Sequence, residues 1–317
     1  MPIGSLFSSY REHGMRLGKE KHVFLWLFAR FVLPLFPNME YTLNCNGRLL
    51  NLCEPQVMGI LNVTPDSFYA ASRQQTEEGI IQRTHQIINE GGTIIDVGAC
   101  STRPDSTPAT EQEEIQRLRF ALNIIRKEVP DAIVSVDTFR PDVARMVVEE
   151  YGADIINDVG APATPHLLPL TSQEMFHMVS RLRVPYIYMS QQATMYDILI
   201  DCAQATDQLR MLGQKDMIID PGFGFGKTLE QNYQVMNELE RMEILQLPIL
   251  VGVSRKSMIY RTLNCQQEEA KNGTTVLHTL ALMKGASILR AHDVKEAVET
   301  IRIVAATQMQ STSNSRL

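Results

Sequence analysis

The sequence predicts an α/β fold, a (β/α)8 TIM barrel preceded by a β-hairpin and a non-catalytic N-terminal extension. From Gln56 onward, short β-branched or apolar runs alternate with longer segments of helical period, and the alternation repeats eight times. That is the pattern of βα units feeding a parallel sheet. Each apolar run stops at a polar or charged residue: Asn62, Asp96, Asp137, Asn157, Ser190, Asp220, Ser254 with Lys256, and Arg290 with His292. In a closed parallel barrel these ends converge on one mouth, where such folds place their sites. The length of 317 residues exceeds the roughly 250 of one barrel but falls short of two large domains. The expected organisation is an extension over 1–40, a barrel domain over 41–310 and a tail over 311–317.

The extension carries Arg11, Arg16, Lys19 and Lys21 ahead of an apolar run from Val23 to Phe36 that Arg30 interrupts. The run is shorter than the ~20 residues that span a bilayer. It ends in Leu35-Phe36-Pro37-Asn38, not in the small residues of a signal-peptide cleavage site. A poorly ordered or surface-packed extension is expected, with membrane association or a mis-set start as the alternatives. Tyr41 to Leu52, centred on Asn46-Gly47, reads as a hairpin that caps the bottom of the barrel. The barrel strands are expected at Val57 to Val63, Thr93 to Val97, Ile133 to Asp137, Asp154 to Asn157, Pro185 to Met189, Met217 to Asp220, Pro248 to Val253 and Ser287 to Ala291. Between them, Glu111 to Glu128, Pro141 to Tyr151 and Asn272 to Lys284 repeat apolar residues every three or four positions, as amphipathic helices do.

Composition narrows the function. Hydrophobic residues at 44% and charged residues at 21% suit a globular chain with a sizeable core. A formal net charge of −6 argues against a broad nucleic-acid surface, which needs a clustered excess of Lys and Arg. Cys45, Cys53, Cys100, Cys202 and Cys265 form no CxxC pair and no even framework, so neither a zinc site nor a disulfide scaffold is expected and the cytoplasm fits best.

Taken singly, Asp96 and Ser190 read equally well as caps or loop anchors. All eight positions together do not, because burying that many polar groups without partners would cost several kcal/mol. Several strand ends also extend into longer blocks: Met58-Gly59-Ile60-Leu61-Asn62-Val63-Thr64-Pro65-Asp66-Ser67-Phe68, Ser101-Thr102-Arg103-Pro104, Ser135-Val136-Asp137-Thr138 and Ile155-Ile156-Asn157-Asp158. Further on come Asp220-Pro221-Gly222-Phe223-Gly224-Phe225-Gly226-Lys227, Gly252-Val253-Ser254-Arg255-Lys256-Ser257 and Arg290-Ala291-His292-Asp293. In the order and spacing of these seven blocks, over roughly Gln56 to Thr307, the sequence resembles the dihydropteroate synthases.

The resemblance implies an enzyme of folate biosynthesis that joins 6-hydroxymethyl-7,8-dihydropterin diphosphate to 4-aminobenzoate with loss of diphosphate, a sulfonamide target working as a cytoplasmic homodimer. It assigns pterin binding to Asp137, Asn157, Met189, Asp220, Phe225, Gly252, Lys256 and Arg290. Carboxylates would accept from the ring's amidine-like N–H edge, while Lys256 and the Asn157 amide would donate to its acceptor atoms. Diphosphate binding falls to Asn62, Thr102, Arg103, Arg290 and His292, the Arg forks suiting phosphate oxygens. His292 follows Arg290 by two places, on the same side of the strand. Phe68, Pro104, Ser254 and Ser257 match the 4-aminobenzoate pocket, Ser257 reading otherwise as a plain N-cap. Mg2+ is the implied cofactor with Asn62 as protein ligand, held largely through diphosphate oxygens. Asp137, Lys256, Arg290 and His292 are the implied catalytic set, and no protein nucleophile is needed.

The sequence departs from the family pattern at Phe68-Tyr69-Ala70-Ala71-Ser72-Arg73, at Gly98-Ala99-Cys100-Ser101, where a glutamate is usual at Cys100, and at Tyr188-Met189-Ser190-Gln191, in place of His-Met. Two other functions compete. A folate-dependent methyltransferase would share the pterin half but needs no diphosphate pocket, and a silent paralogue would bind pterin diphosphate without turnover.

Overall fold

The structure is a computed structural model and describes residues 41–64, 73–100, 109–160 and 171–314. The extension over 1–40 and residues 315–317 lie outside the described residues. The last helix, Val294–Asn314, continues through residues 311–314, which sequence assigns to a tail.

The chain opens with strands β1 (Thr42–Cys45) and β2 (Arg48–Asn51), an antiparallel pair turning at Asn46-Gly47, both with positive φ. Eight parallel strands follow: β3 (Gln56–Asn62), β4 (Ile94–Gly98), β5 (Ile133–Asp137), β6 (Ile155–Asp158), β7 (Tyr186–Met189), β8 (Met217–Asp220), β9 (Ile249–Val251) and β10 (Ala286–Ala291). They close in the order β10-β3-β4-β5-β6-β7-β8-β9. β9 is shorter than the run Pro248 to Val253 suggests, because the chain turns at Val253, whose carbonyl accepts from Lys256 N–H, and Arg255 takes φ +53°.

Local chemistry sets the helix ends. Thr110 caps Glu111–Glu128 in a capping box with Glu113, satisfying two otherwise orphaned N–H groups. Pro141 opens Pro141–Tyr151, and Gly152 closes it in the left-handed region at φ +60°, where a Cβ is costly. No described helix is long and apolar enough to cross a membrane.

The two-residue period of the strands divides the barrel into levels. At the bottom, Met58, Ile94, Ile155, Ile187, Ile218, Leu250 and Ile288 form one apolar cluster with Leu43, Cys45, Leu50 and Leu52 of the hairpin and Leu52's turn, so the hairpin plugs that end. Two residues further along the same strands stand Asp96, Ser135, Asn157, Met189, Asp220, Gly252 and Arg290. A larger core between strands and helices holds the alternate residues, Val57, Leu61, Val97, Val134, Ile156, Ile219 and Leu289 among them.

Candidate active site

The strand register brings distant residues to one level at the mouth. Asn62 pairs with Gly98, Gly98 with Asp137, and Asp137 with Asn157. Gly98 keeps this level open: a Cβ there would stand 3.3 Å from Asn62 Oδ1 and 3.7 Å from Asp137 Cβ.

Asp96, fully buried, is the hub that ties these strand ends together. Its carboxylate accepts from Ser135 Oγ at 2.6 Å, from Asn157 Nδ2 at 3.3 and 3.2 Å, and from Arg290 Nε at 2.6 Å. Arg290 Nη2 also donates to Asp137 at 2.9 Å. Arg290 therefore bridges two carboxylates, and although burial alone would lower its pKa, Asp96 and Asp137 raise it and keep the guanidinium charged. Sequence reasoning left Asp96 as a plausible cap; its place two residues beyond Ile94 on an inward strand face is the signal that marks it.

Asn157 is correspondingly fixed. Its amide nitrogen must face the Asp96 carboxylate, since a flipped amide would set oxygen against oxygen. Asn157 Oδ1 is then buried with no partner. Its nitrogen bonds Asp96, and its oxygen is an acceptor open to an N–H.

Opposite, Lys256 donates to the Phe223 carbonyl and sits 4.7 Å from the centroid of the Phe225 ring. Burial pushes its pKa down to about 8 against the pull of Asp220. Asp220 accepts from Gly222 N–H at 2.7 Å, and burial raises its pKa. Asp137 is pushed up to about 7, first by burial, with Arg290 opposing and Asp96 and Asp158 adding to it. A Cβ at Gly252 would lie 3.9 Å from both Arg290 Cβ and Lys256 Nζ, so Gly252 stands between the two cations. Met189, 4% exposed, closes the pocket beside Gly222.

Lys227, which sequence reasoning did not single out, holds the loop after β8 by donating to the carbonyls of Gly222 (2.9 Å), Phe225 (3.3 Å) and Ser190 (3.5 Å). The unusual stretch after β7 is held from its other side: Tyr188 and Ser190 hydroxyls both donate to Asp201, at 3.1 and 2.6 Å. Tyr188 and Ser190 of that stretch thus bond to a helix.

At the other end of the mouth, His292 N–H donates to Ser254 Oγ at 3.1 Å, so Ser254 ties two strand ends together. Burial, then the charges of Arg290, Arg83 and Arg255, push the His292 pKa down to about 4. Ser257 begins the helix Ser257–Leu263 as its first residue; Lys256 is the N-cap and makes no side-chain cap bond, so the N-cap reading of Ser257 does not apply. Asn62 makes no side-chain hydrogen bond to a described residue, and no described cluster of three or more His, Cys, Asp or Glu could hold a metal. Phe68, Thr102, Arg103 and Pro104 lie outside the described residues.

A parallel barrel whose mouth gathers buried carboxylates, an arginine and a lysine suits a small polar ligand, and the sequence profile of the pterin binding enzymes matches residues 58–292. Dihydropteroate synthase of Escherichia coli (strain K12) is 37% identical over 274 residues, covering 82% of this chain and 94% of that enzyme. Among solved structures, Xanthomonas albilineans dihydropteroate synthase with 4-aminobenzoic acid superposes with a TM-score of 0.77 at 33% identity, covering 85% of this chain and 99% of that one. The same enzyme with 7,8-dihydropteroate gives 0.74 at 32%, covering 84% and 99%. The chain belongs to the dihydropteroate synthase family of the pterin binding enzymes.

Proposed function

We propose that this chain condenses 6-hydroxymethyl-7,8-dihydropterin diphosphate with 4-aminobenzoate to 7,8-dihydropteroate and diphosphate, a transferase step of folate biosynthesis. The observation that carries the reading is the partnerless Asn157 Oδ1 on the strand paired with that of Asp137, in a mouth that also holds Asp220 and Lys256. It calls for a ligand N–H, and the pterin's amino and ring N–H edge supplies several, while Lys256 donates to the ring's acceptors. Phe225 and Met189 close on the ring's faces.

The reaction is dissociative. The bond between the exocyclic methylene carbon and the diphosphate oxygen breaks, its electron pair leaving with the diphosphate. The remaining Arg290 N–H donors, His292 and Arg103 stabilise that oxygen. Asp137 and Asp220 place negative charge near the pterin cation, a preorganised stabilisation worth a few kcal/mol. The arylamine of 4-aminobenzoate, held by Ser257 with Phe68 and Pro104, attacks the methylene carbon and then loses a proton. Sulfonamides would compete for the same place. Asn62 fits a magnesium ion held mainly by diphosphate and water, since it offers one uncommitted neutral oxygen. Bound there, the ion would screen the charge of the leaving group.

We further propose a cytoplasmic homodimer through the late helices. On Lys271–Met283, Val276, Leu280 and Met283 form a stripe at helical spacing, 52%, 40% and 67% exposed. A charged substitution such as Leu280→Glu should shift the sedimentation coefficient to the monomer's. The test of the activity is diphosphate release from the pterin diphosphate with magnesium, with and without 4-aminobenzoate. Dihydropteroate formed only with both substrates, and lost in Asp137→Ala, supports the synthase. Saturable binding with no product in the wild type overturns it.

A further inference from the structure

The ladder between β3 and β10 runs from Ile288↔Gln56 to Ala291↔Gly59 and stops there. One step further along, the facing residues are His292 and Ile60, and a side chain takes over from the main chain. Arg83, on the helix Arg73–Asn89, donates from Nε to the Ile60 carbonyl at 3.1 Å and from Nη2 to the His292 carbonyl at 2.6 Å. The planar guanidinium fork thus replaces the missing rung. Its Nη1 donates to Gln86 Oε1 at 2.9 Å.

These three acceptors are all neutral, and no carboxylate of the described residues stands within ion-pair distance of Arg83. Its neighbour Arg255 differs: both its Nε and Nη2 are answered by Asp293, at 2.8 and 2.6 Å. Arg83, Arg255 and His292 line one cavity of about 450 Å³ together with Glu268 and Asp293. Burial lowers the Arg83 pKa, with Glu90 and Asp293 opposing the shift. The other end of the His292 peptide is held by Ser254 Oγ, so Arg83 completes a clamp on the main chain of the residue assigned to the leaving group.

We infer that Arg83 is a positioning residue for the diphosphate end, fixing His292 relative to the strand that carries Asn62. The inference rests on the synthase reading. Its test compares wild type with Arg83→Lys, which keeps charge but cannot span both carbonyls, and Arg83→Met, which keeps length without charge. For both variants, the KM for pterin diphosphate and the inhibition constant for inorganic diphosphate should rise about tenfold, ~1.4 kcal/mol. Binding of diphosphate-free 6-hydroxymethylpterin should stay within about twofold. Equal weakening of both pterins in folded Arg83→Lys, or no change in either, overturns the inference while leaving the synthase intact. A wild type whose affinity does not depend on the diphosphate group overturns both. Should Arg83→Met fail to fold, Arg83→Lys, with a melting curve, decides the matter.

Discussion

At the foot of the barrel, fully buried Asp154 accepts from Arg48 Nη2 at 2.5 Å, Arg126 Nη2 at 3.0 Å and Val134 N–H at 2.8 Å. Arg126 in turn spends its other donors on the carbonyls of Tyr151, Ala132 and Gly152. At the mouth, Asp96, Asp137 and Asp220 share Arg290 and Lys256, and an amide oxygen is left without a partner. Both ends bury charge. The foot satisfies it within the chain, so the cost of desolvation is recovered in folding; the mouth leaves part of it to be satisfied by a ligand. A carboxylate should therefore matter to stability at one end and to chemistry at the other.

Exchanging losses between the ends tests this most sharply. Asp154→Ala leaves two guanidinium groups and the Val134 N–H without their acceptor, and should cost about 3–5 kcal/mol in denaturant unfolding. The residual folded protein should keep its kcat/KM. Asp137→Asn should do the reverse. The raised pKa of Asp137, about 7, means its folded-state stability is fully present below the unfolded value of 3.8 and is lost as pH rises through 7. At pH 8 burial disfavours the ionised group while Arg290 holds it, so removing its charge should change stability by less than Asp154→Ala does. The same substitution should lower kcat/KM about 10²–10³-fold. Equal destabilisation by both substitutions would erase the distinction between the ends.

The levels of the barrel are legible in the sequence, because one-residue alternation on eight strands fixes which side chains meet at each height. Ile94 and Asp96, or Ile155 and Asn157, follow from that rule once the strands are placed. What pairs with what is not legible. The Arg290 to Asp96 bond spans 194 residues of chain, and Asp96 looks like any polar strand end until the barrel closes. Arg83 and Asp201 sit on helices whose polar faces look solvated in sequence, yet both turn toward strand ends. Amide direction at Asn157 is likewise set by a neighbour on another strand, not by the local motif.

A buried histidine outside the mouth sharpens the comparison at a smaller scale. His278, 1% exposed on the helix Lys271–Met283, leaves Nε2 without a partner, and burial pushes its pKa down from 6.5 to about 4, with Asp293 opposing. Its folded pKa lies below the unfolded one, so the stability it contributes is present above pH 6.5 and lost as pH falls through 4. That window is worth roughly 3 kcal/mol. His278→Leu should flatten the difference in unfolding free energy between pH 7 and pH 4 by that amount, relative to wild type. An unchanged pH slope would mean the histidine reaches water or a partner in solution.

The smallest effect is also the most direct measure of the mouth itself. Burial is the first cause of both shifts there, raising the Asp137 acid to about 7 and lowering the Lys256 base to about 8. Pterin binding by this arrangement needs the carboxylate ionised and the ammonium protonated. The pH profile of kcat/KM, which reports the free protein, should therefore be a narrow bell with limbs near these two values. Activity should fall tenfold per pH unit beyond either limb, ~1.4 kcal/mol each. Lys256→Arg should move the alkaline limb above pH 10, because a guanidinium does not titrate in that range. A broad plateau from pH 5 to 10 in the wild type would mean that water solvates both groups in the free protein. The mouth would then hold no unspent desolvation for a pterin to relieve, and its charges would differ from those at the foot only in exposure.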